Sequence, residues 1–211
     1  MSIVNSPGVI RIINRDGTML HKSSALSVKE ALCEAVSKGI ILENLDLSYQ
    51  DLSFLNCDDG AFYNVSFKGC NLIGANLSEA NLSNCDFTES SLTGACFAYS
   101  RINQCDFYNA ELAACDFSCA ALYRANFSGS GLFNVDFTTA ESIIDSYLYS
   151  NDHSAHMRLS PRAMRVATNR NRCIIQENAL YVNGEILPVS TELSGDLINR
   201  LSLEDQRFLH L

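Results

Sequence analysis

The 211-residue sequence has no run approaching the roughly 18 to 20 consecutive apolar residues that a helical membrane span requires, so no membrane partner is expected. It has no basic segment followed by a long apolar stretch at its start, so an export signal is not expected and a cytoplasmic setting is. Its nine cysteines include no C-x-x-C pair, which removes the usual zinc spacing; in a reducing compartment they read as free thiols. There is no G-x-S-x-G, no glycine-rich phosphate loop, and none of the four histidines (His21, His153, His156, His210) falls between 45 and 140. Enzymatic activity is not expected, and neither a cofactor nor a metal site is. Asp152 with His153 and His156 reads as solvated linker rather than as a ligand set.

Basic residues are also scarce where it matters. Fifteen Lys and Arg stand against 24 Asp and Glu, a net charge of −9 that argues against a general nucleic-acid binder. Residues 45–140 contain 11 acids and only three bases (Lys68, Arg101, Arg124), whereas 1–44 and 141–211 are close to balanced. A middle segment of one sign projects a field that attracts cationic partners.

What is abundant is a period of five. Every fifth residue from Leu47 to Phe137 is Leu, Phe or Ile in eighteen of nineteen cases, Cys57 being the exception. Two positions earlier stands a mostly small residue, such as Cys70, Ala75, Cys85, Ser90 or Ala95, and between the two Asn or Asp recurs. Neither a 3.6-residue nor a two-residue period can hold that register for ninety residues, so the segment is a solenoid. The stretches CNLIGANLSEANLSNCDF and CDFYNAELAACDF resemble the pentapeptide-repeat family. The resemblance implies a right-handed, four-sided β-helix, one unit per face and four units per coil, and hence a mainly β fold. From Phe87 to Phe137 the central residue alternates between Phe and Leu or Ile, which on four sides sets Phe on two opposite faces. Residues twenty apart then stack, with Phe67, Phe87, Phe107 and Phe127 in one ladder and Leu52 through Leu132 in another. At about 4.8 Å per coil, roughly five coils give a rod of about 23 Å.

Three segments follow: an N-terminal hairpin and capping helix (1–44), the β-helix (45–140) and a small α+β cap or module (141–211). IRIINRDGTMLHK reads as a hairpin turning at Asp16-Gly17, and Ser27-Val28-Lys29-Glu30 as a capping box opening a helix that stops at Gly39. Such a cap covers an open β edge. After residue 140 the register fails. Ser160-Pro161 predicts a short helix to about Ala167, ALYVNGEILPV a hairpin at Asn183-Gly184, and Ser202-Leu203-Glu204-Asp205 a last helix. The apolar end (Phe208, Leu209, Leu211) either covers the open end of the β-helix or pairs with a second copy, a homodimer through the C-terminal region that the family resemblance also implies.

Among outward residues, Asp and Asn just before each centre have a backbone-bonding role at turns. Partner binding is therefore assigned to Asp58, Asp59, Glu79, Glu89 and Glu111, and to the tyrosines Tyr63, Tyr99, Tyr108 and Tyr123, a residue type enriched at interfaces. Cys96 and Cys119 lie outside the small inward slot and are the cysteines open to alkylation. Arg158, Arg162, Arg165, Arg170 and Arg172 form a basic stretch that either contacts phosphate or docks on the acidic rod.

Some pentapeptide-repeat proteins resemble duplex DNA in width and charge and bind type II topoisomerases such as gyrase. The resemblance thus implies a non-enzymatic DNA mimic whose partner is a DNA-binding enzyme, with no direct nucleic-acid binding by the rod. Two features weigh against it: 23 Å replaces only about seven base pairs, and the unbroken register leaves no room for the long loops of quinolone-resistance members. The alternative is a scaffold, effector or accessory protein that binds its partner through the C-terminal module and the exposed tyrosines.

Overall fold

In the computed structural model the backbone and side chains of residues 2–132, 135–137 and 139–146 are described, together with the backbone of 147–149, 156–158, 163–164, 173–176, 179–182 and 185–188. The chain opens with a three-stranded antiparallel meander, β1 (Ile3–Ser6), β2 (Val9–Ile13) and β3 (Met19–Ser23). The β2–β3 hairpin turns around Asp16-Gly17 as the sequence predicts. β1 was not legible: its residues are half-buried or exposed, and its signal is the Pro7-Gly8 turn that joins it to β2.

Helix α1 (Val28–Ser37) follows. The Ser27 hydroxyl accepts the Glu30 N–H at 3.2 Å, while the Glu30 carboxylate reaches one residue further back than a standard capping box, to the Leu26 N–H at 2.9 Å. Gly39, with φ of +67°, ends the helix. Ala31, Leu32 and Ala35 are buried with Ile10 and Ile12 against the first coil. The meander also bonds the rod's open edge directly, Asp46 N–H to the Ser2 hydroxyl at 2.7 Å and Arg15 N–H to the Asn44 carbonyl at 2.8 Å. An edge left unpaired would template aggregation; here it is occupied.

The rod is a parallel solenoid of about five coils. Four parallel pairings, each twenty residues apart, define one coil: Asp46 with Ser66, Asp51 with Asn71, Asn56 with Asn76, and Ala61 with Asn81. We number the faces first to fourth by the centres 47, 52, 57 and 62 and their repeats. The fourth face is the most regular, a six-stranded parallel sheet of β4 (Leu42–Glu43), β5 (Ala61–Tyr63), β6 (Asn81–Ser83), β7 (Arg101–Asn103), β8 (Ala121–Tyr123) and β9 (Ser142–Ile144). Its last step pairs Leu122 with Ile143, twenty-one residues on. One inserted residue therefore breaks the five-residue register near 140 while the sheet continues past it.

Inside, the rings stack as the spacing predicts. On the first face Phe67, Phe87, Phe107 and Phe127 follow one another at 4.9, 4.9 and 5.0 Å, within 8° of parallel. On the third, Phe97 and Phe117 stack at 5.1 Å and Phe117 and Phe137 at 5.4 Å. The two ladders meet edge to face across the tube, Phe97 to Phe107 at 5.9 Å and 90°, a geometry the ring quadrupole favours. In the small slot, Ser90, Ser100 and Ser130 donate to the carbonyl three residues back at 2.6–2.7 Å. Cys70 and Cys115 donate to carbonyls of the coil below at 2.9 and 3.0 Å. These thiols are buried and free, filling space as Ala does elsewhere.

Beyond the rod, β10 (Tyr147–Tyr149) pairs with β11 (His156–Arg158), and β12 (Ala163–Met164), β13 (Cys173–Gln176), β14 (Ala179–Val182) and β15 (Glu185–Pro188) form an antiparallel sheet. The hairpin about 183–184 is present, with Val182 opposite Glu185. The helix expected from Ser160 to Ala167 is not: Ala163 and Met164 pair with Gln176 and Ile175. A helix of that length is marginal by itself, and an adjacent strand satisfies the same backbone groups. The helix expected from Ser202 lies outside the described residues.

Candidate partner-binding faces

Each unit closes with a β-turn. The N–H three residues after a centre bonds to the centre's carbonyl, as in Cys70 to Phe67 at 3.0 Å and Ala95 to Leu92 at 2.8 Å. The third turn residue is left-handed, the conformation type II turns require. Before the centre, Asp or Asn accepts the N–H two residues on: Asp46 from Ser48 at 3.1 Å, Asp86 from Thr88 at 2.9 Å, Asp106 from Tyr108 at 2.9 Å and Asp116 from Ser118 at 2.8 Å. Those carboxylates are part of the scaffold.

The five acids assigned to binding are all exposed, but the geometry does not gather them into one cluster. Asp58, Asp59 and Glu79 share the third face, with Asp116 and Asp136 further along it and no base among its described residues. Asp59, Glu79, Tyr99 and Cys119 follow one another down one corner, each with φ between 55° and 60°. Glu89 is on the first face, 3.8 Å from Lys68, and Glu111 is on the second, folded over Gly131. The first face adds Asp46, Asp86 and Asp106, so acid is concentrated on two opposite sides. The fourth face between them carries Arg101 and Arg124, both exposed. Its corner is an amide ladder of Asn44, Asn64, Asn84 and Gln104, with Asn64 Nδ2 donating to Asn44 Oδ1 at 2.7 Å.

The tyrosines form no stripe. Tyr63 and Tyr123 lie three coils apart on the fourth face, both half-buried; Tyr63 accepts a hydrogen bond from Asn81 Nδ2 at 3.0 Å, and the Arg124 guanidinium covers Tyr123 at 4.7 Å. Tyr108 is on the first face, and Tyr99, 65% exposed, is at the acidic third-face corner. Tyr49 (69% exposed) and Phe54 (75% exposed) were missed, although both hold the corner position of the repeat. Their rings lie over Gly69 and Gly74, where a Cβ would come within 2.6 and 2.8 Å. Of the basic stretch, Arg158 ends β11, opposite Tyr147, while Arg162, Arg165, Arg170 and Arg172 lie outside the described residues.

A family model described as a pentapeptide repeat region matches residues 60–137. That segment is a pentapeptide-repeat solenoid. Among solved structures, a pentapeptide repeat protein of the Arabidopsis thaliana thylakoid lumen aligns at 26% identity over 45% of this chain and 66% of its own, with a TM-score of 0.44. Rfr23, from the cyanobacterium Cyanothece 51142, aligns at 17% identity over 44% and 76%, with a TM-score of 0.42. Full-length QnrB1, a plasmid-mediated fluoroquinolone resistance protein, aligns at 17% identity over 54% and 65%, with a TM-score of 0.27. The chain thus spans just under two thirds of the Arabidopsis protein and of QnrB1. No curated protein sequence matches it.

The pentapeptide-repeat rod tunes its carboxylates unequally. Asp46 is held below its usual range by hydrogen bonds from the Ser48 hydroxyl and N–H. Asp106 is pushed up, by burial first and then by the charge of Asp86 one coil below. Burial and the adjacent Cys85 push the Cys105 thiol well up. An open depression of about 480 Å³ at the junction of the fourth and first faces is lined by Gln104, Cys105, Asp106, Arg124, Asn126 and Asp145, with Arg124 Nε 3.9 Å from Asp145. Among the described residues, no three His, Cys, Asp or Glu side chains are placed to hold a metal ion, and no helix is long and apolar enough to cross a membrane.

Proposed function

We propose that this protein is a non-enzymatic binding protein whose acidic rod occupies the DNA-binding surface of a DNA-binding protein, such as a type II topoisomerase. One observation carries the reading. Carboxylates are concentrated on two opposite sides of the rod, exposed on the third face and half-buried except for Glu89 on the first, much as phosphates line the two strands of a duplex. Two of the three bases of residues 45–140, Arg101 and Arg124, lie on the fourth side between them. The partner is then a cationic groove, approached by the third face with Asp58, Asp59 and Glu79 leading and Tyr99 supplying apolar contact. Five coils at about 4.9 Å cover about 24 Å, or about seven base pairs, so two copies end to end match a groove of ordinary length. The scaffold reading places contact on the C-terminal module instead, and salt separates the two.

The test is competition for a type II topoisomerase between the full chain and a labelled duplex. The chain is expected to displace DNA at low salt, and to lose most of that ability between about 50 and 200 mM salt. The triple variant D58N/D59N/E79Q is expected to weaken displacement at least tenfold, whereas R101Q/R124Q leaves it intact. No displacement, or displacement indifferent to salt and to the triple variant, sinks the DNA-mimic reading. Salt-insensitive binding lost with residues 141–211 supports the scaffold.

A further inference from the structure

The cap helix and the first coil present two thiols to each other. Cys57 is the one centre of the solenoid that is neither Leu, Phe nor Ile; it stands at the bottom of the ladder Leu77, Phe97, Phe117, Phe137 and is fully buried. Cys33 lies on α1, half-buried and packed against the core. Lys29 and Cys33 are four residues apart and so share one side of the helix, about 6 Å apart along its axis. Lys29 Nζ donates to the Ser53 carbonyl at 2.9 Å. One turn on, Cys33 meets the Asn56 N–H and the Cys57 thiol, so the helix runs along residues 53–57 with the two sulfurs as neighbours.

We propose that Cys33 and Cys57 are a redox-active pair whose oxidation joins the cap covalently to the first coil. The two thiols have distinct parts to play. Cys33 is reachable, and the hydrogen bond from the Cys57 thiol, with that from the Asn56 N–H, draws it down to about 6 against the opposing effect of burial. That lowering makes Cys33 the readier of the two to form the thiolate, which is the nucleophilic form. Cys57 is enclosed and pushed up by the same hydrogen bond and by burial, so it stays protonated until Cys33 has reacted. The oxidant is a small-molecule or protein disulfide. Cys33 Sγ attacks one of its sulfurs, the S–S bond breaks and one thiolate leaves. Cys57 then gives its proton to solvent and attacks Cys33 Sγ, releasing the second thiolate. Two electrons pass from the pair to the disulfide, and the two thiolates that leave take up their protons from solvent. This inference does not depend on the function proposed for the rod.

The full chain is treated with oxidised glutathione, quenched by alkylation, and mapped by mass spectrometry of its cysteine peptides. A Cys33–Cys57 cross-linked peptide is expected, with an intact mass lower by about 2 Da and full reversal by dithiothreitol. Cys33→Ser abolishes the cross-link, and Cys57→Ser halts the reaction with glutathione attached to Cys33. Should Cys57→Ser fail to fold, the wild-type map and Cys33→Ser decide by themselves. A stable glutathione adduct on wild-type Cys33, or an untouched Cys33 while the exposed Cys119 reacts fully, overturns the proposal.

Discussion

The first and third faces differ from the second and fourth both inside and out. Inside, the former carry the Phe ladders and the latter aliphatic ladders such as Leu72, Leu92, Leu112, with Phe62 the one ring among the fourth face's centres. Outside, the former carry nine of the eleven acids of residues 45–140, and the fourth face carries two of the three bases. The inner difference follows from packing, since a narrow tube accommodates rings from opposite sides only if they interdigitate edge to face. Nothing in packing requires the outer difference. A repeat that fixes its interior this tightly leaves its exterior free, and charge sorted by face is then a property that folding alone does not explain.

The sharpest way to break the inner half of the comparison is to remove a ring. Phe107 stacks on Phe87 and Phe127 at 4.9 and 5.0 Å and meets Phe97 and Phe117 edge-on at 5.9 and 6.5 Å. Phe107→Ala is expected to cost about 3–5 kcal/mol, and Leu112→Ala on the neighbouring face about 2–4 kcal/mol. Urea unfolding of both variants checks the order. Equal losses would mean that the two ladder types contribute alike and that the ring geometry adds nothing.

This contrast also explains what the sequence disclosed. The interior was legible because each centre, Phe87 or Leu92, recurs on a fixed period and is buried by it. Ser27 and Gly39 announced the helix because caps are local chemistry. The exterior was legible only in part. Tyr63 and Tyr123 look outward in register, but their surroundings are set by Asn81, eighteen residues on, and by Arg124, the adjacent corner residue. Tyr49 and Phe54 were overlooked because glycines one coil above let their rings lie flat. The Cys33–Cys57 pairing depends on how the cap helix docks, which no repeat encodes. At Ala163–Met164 a local helix signal lost to a strand partner ten or more residues away.

The corners sharpen the outer half. The second face turns its corners with Phe54, Gly74, Gly94 and Ala114, the third with Asp59, Glu79, Tyr99 and Cys119, all left-handed. A Cβ at Gly94 meets no atom within 4 Å, so substitution there reports backbone conformation alone. Gly94→Val is expected to cost about 1–2 kcal/mol. Gly94→Asn, a residue that tolerates the left-handed region, should lie within about 0.5 kcal/mol of wild type. Thermal unfolding of the two variants measures the difference. If Gly94→Val were as stable as Gly94→Asn, the neighbouring coils and not residue type would dictate the corner, and the acidic corner of the third face would carry no conformational cost.

The smallest effect lies within a single acidic face. Asp86 and Asp106 stand one coil apart in register, and like charges directly opposite are unfavourable. Asp106 is raised by burial and by Asp86, so the folded state binds its proton more tightly than the unfolded chain does. Its contribution to stability is therefore unfavourable at neutral pH and is relieved as pH falls through the folded value. Asp46, lowered by Ser48, has the opposite sign: it contributes stability above the unfolded carboxylate range and loses it as pH falls. Asp106→Asn keeps an acceptor for the Tyr108 N–H and removes the repulsion. It is expected to gain about 0.5 kcal/mol at pH 7 and to lose that gain in acid, as urea midpoints at the two pH values would show. A variant less stable than wild type at pH 7 would mean that the charge at Asp106 is held by the fold rather than tolerated by it, and that the first face is acidic for a structural reason.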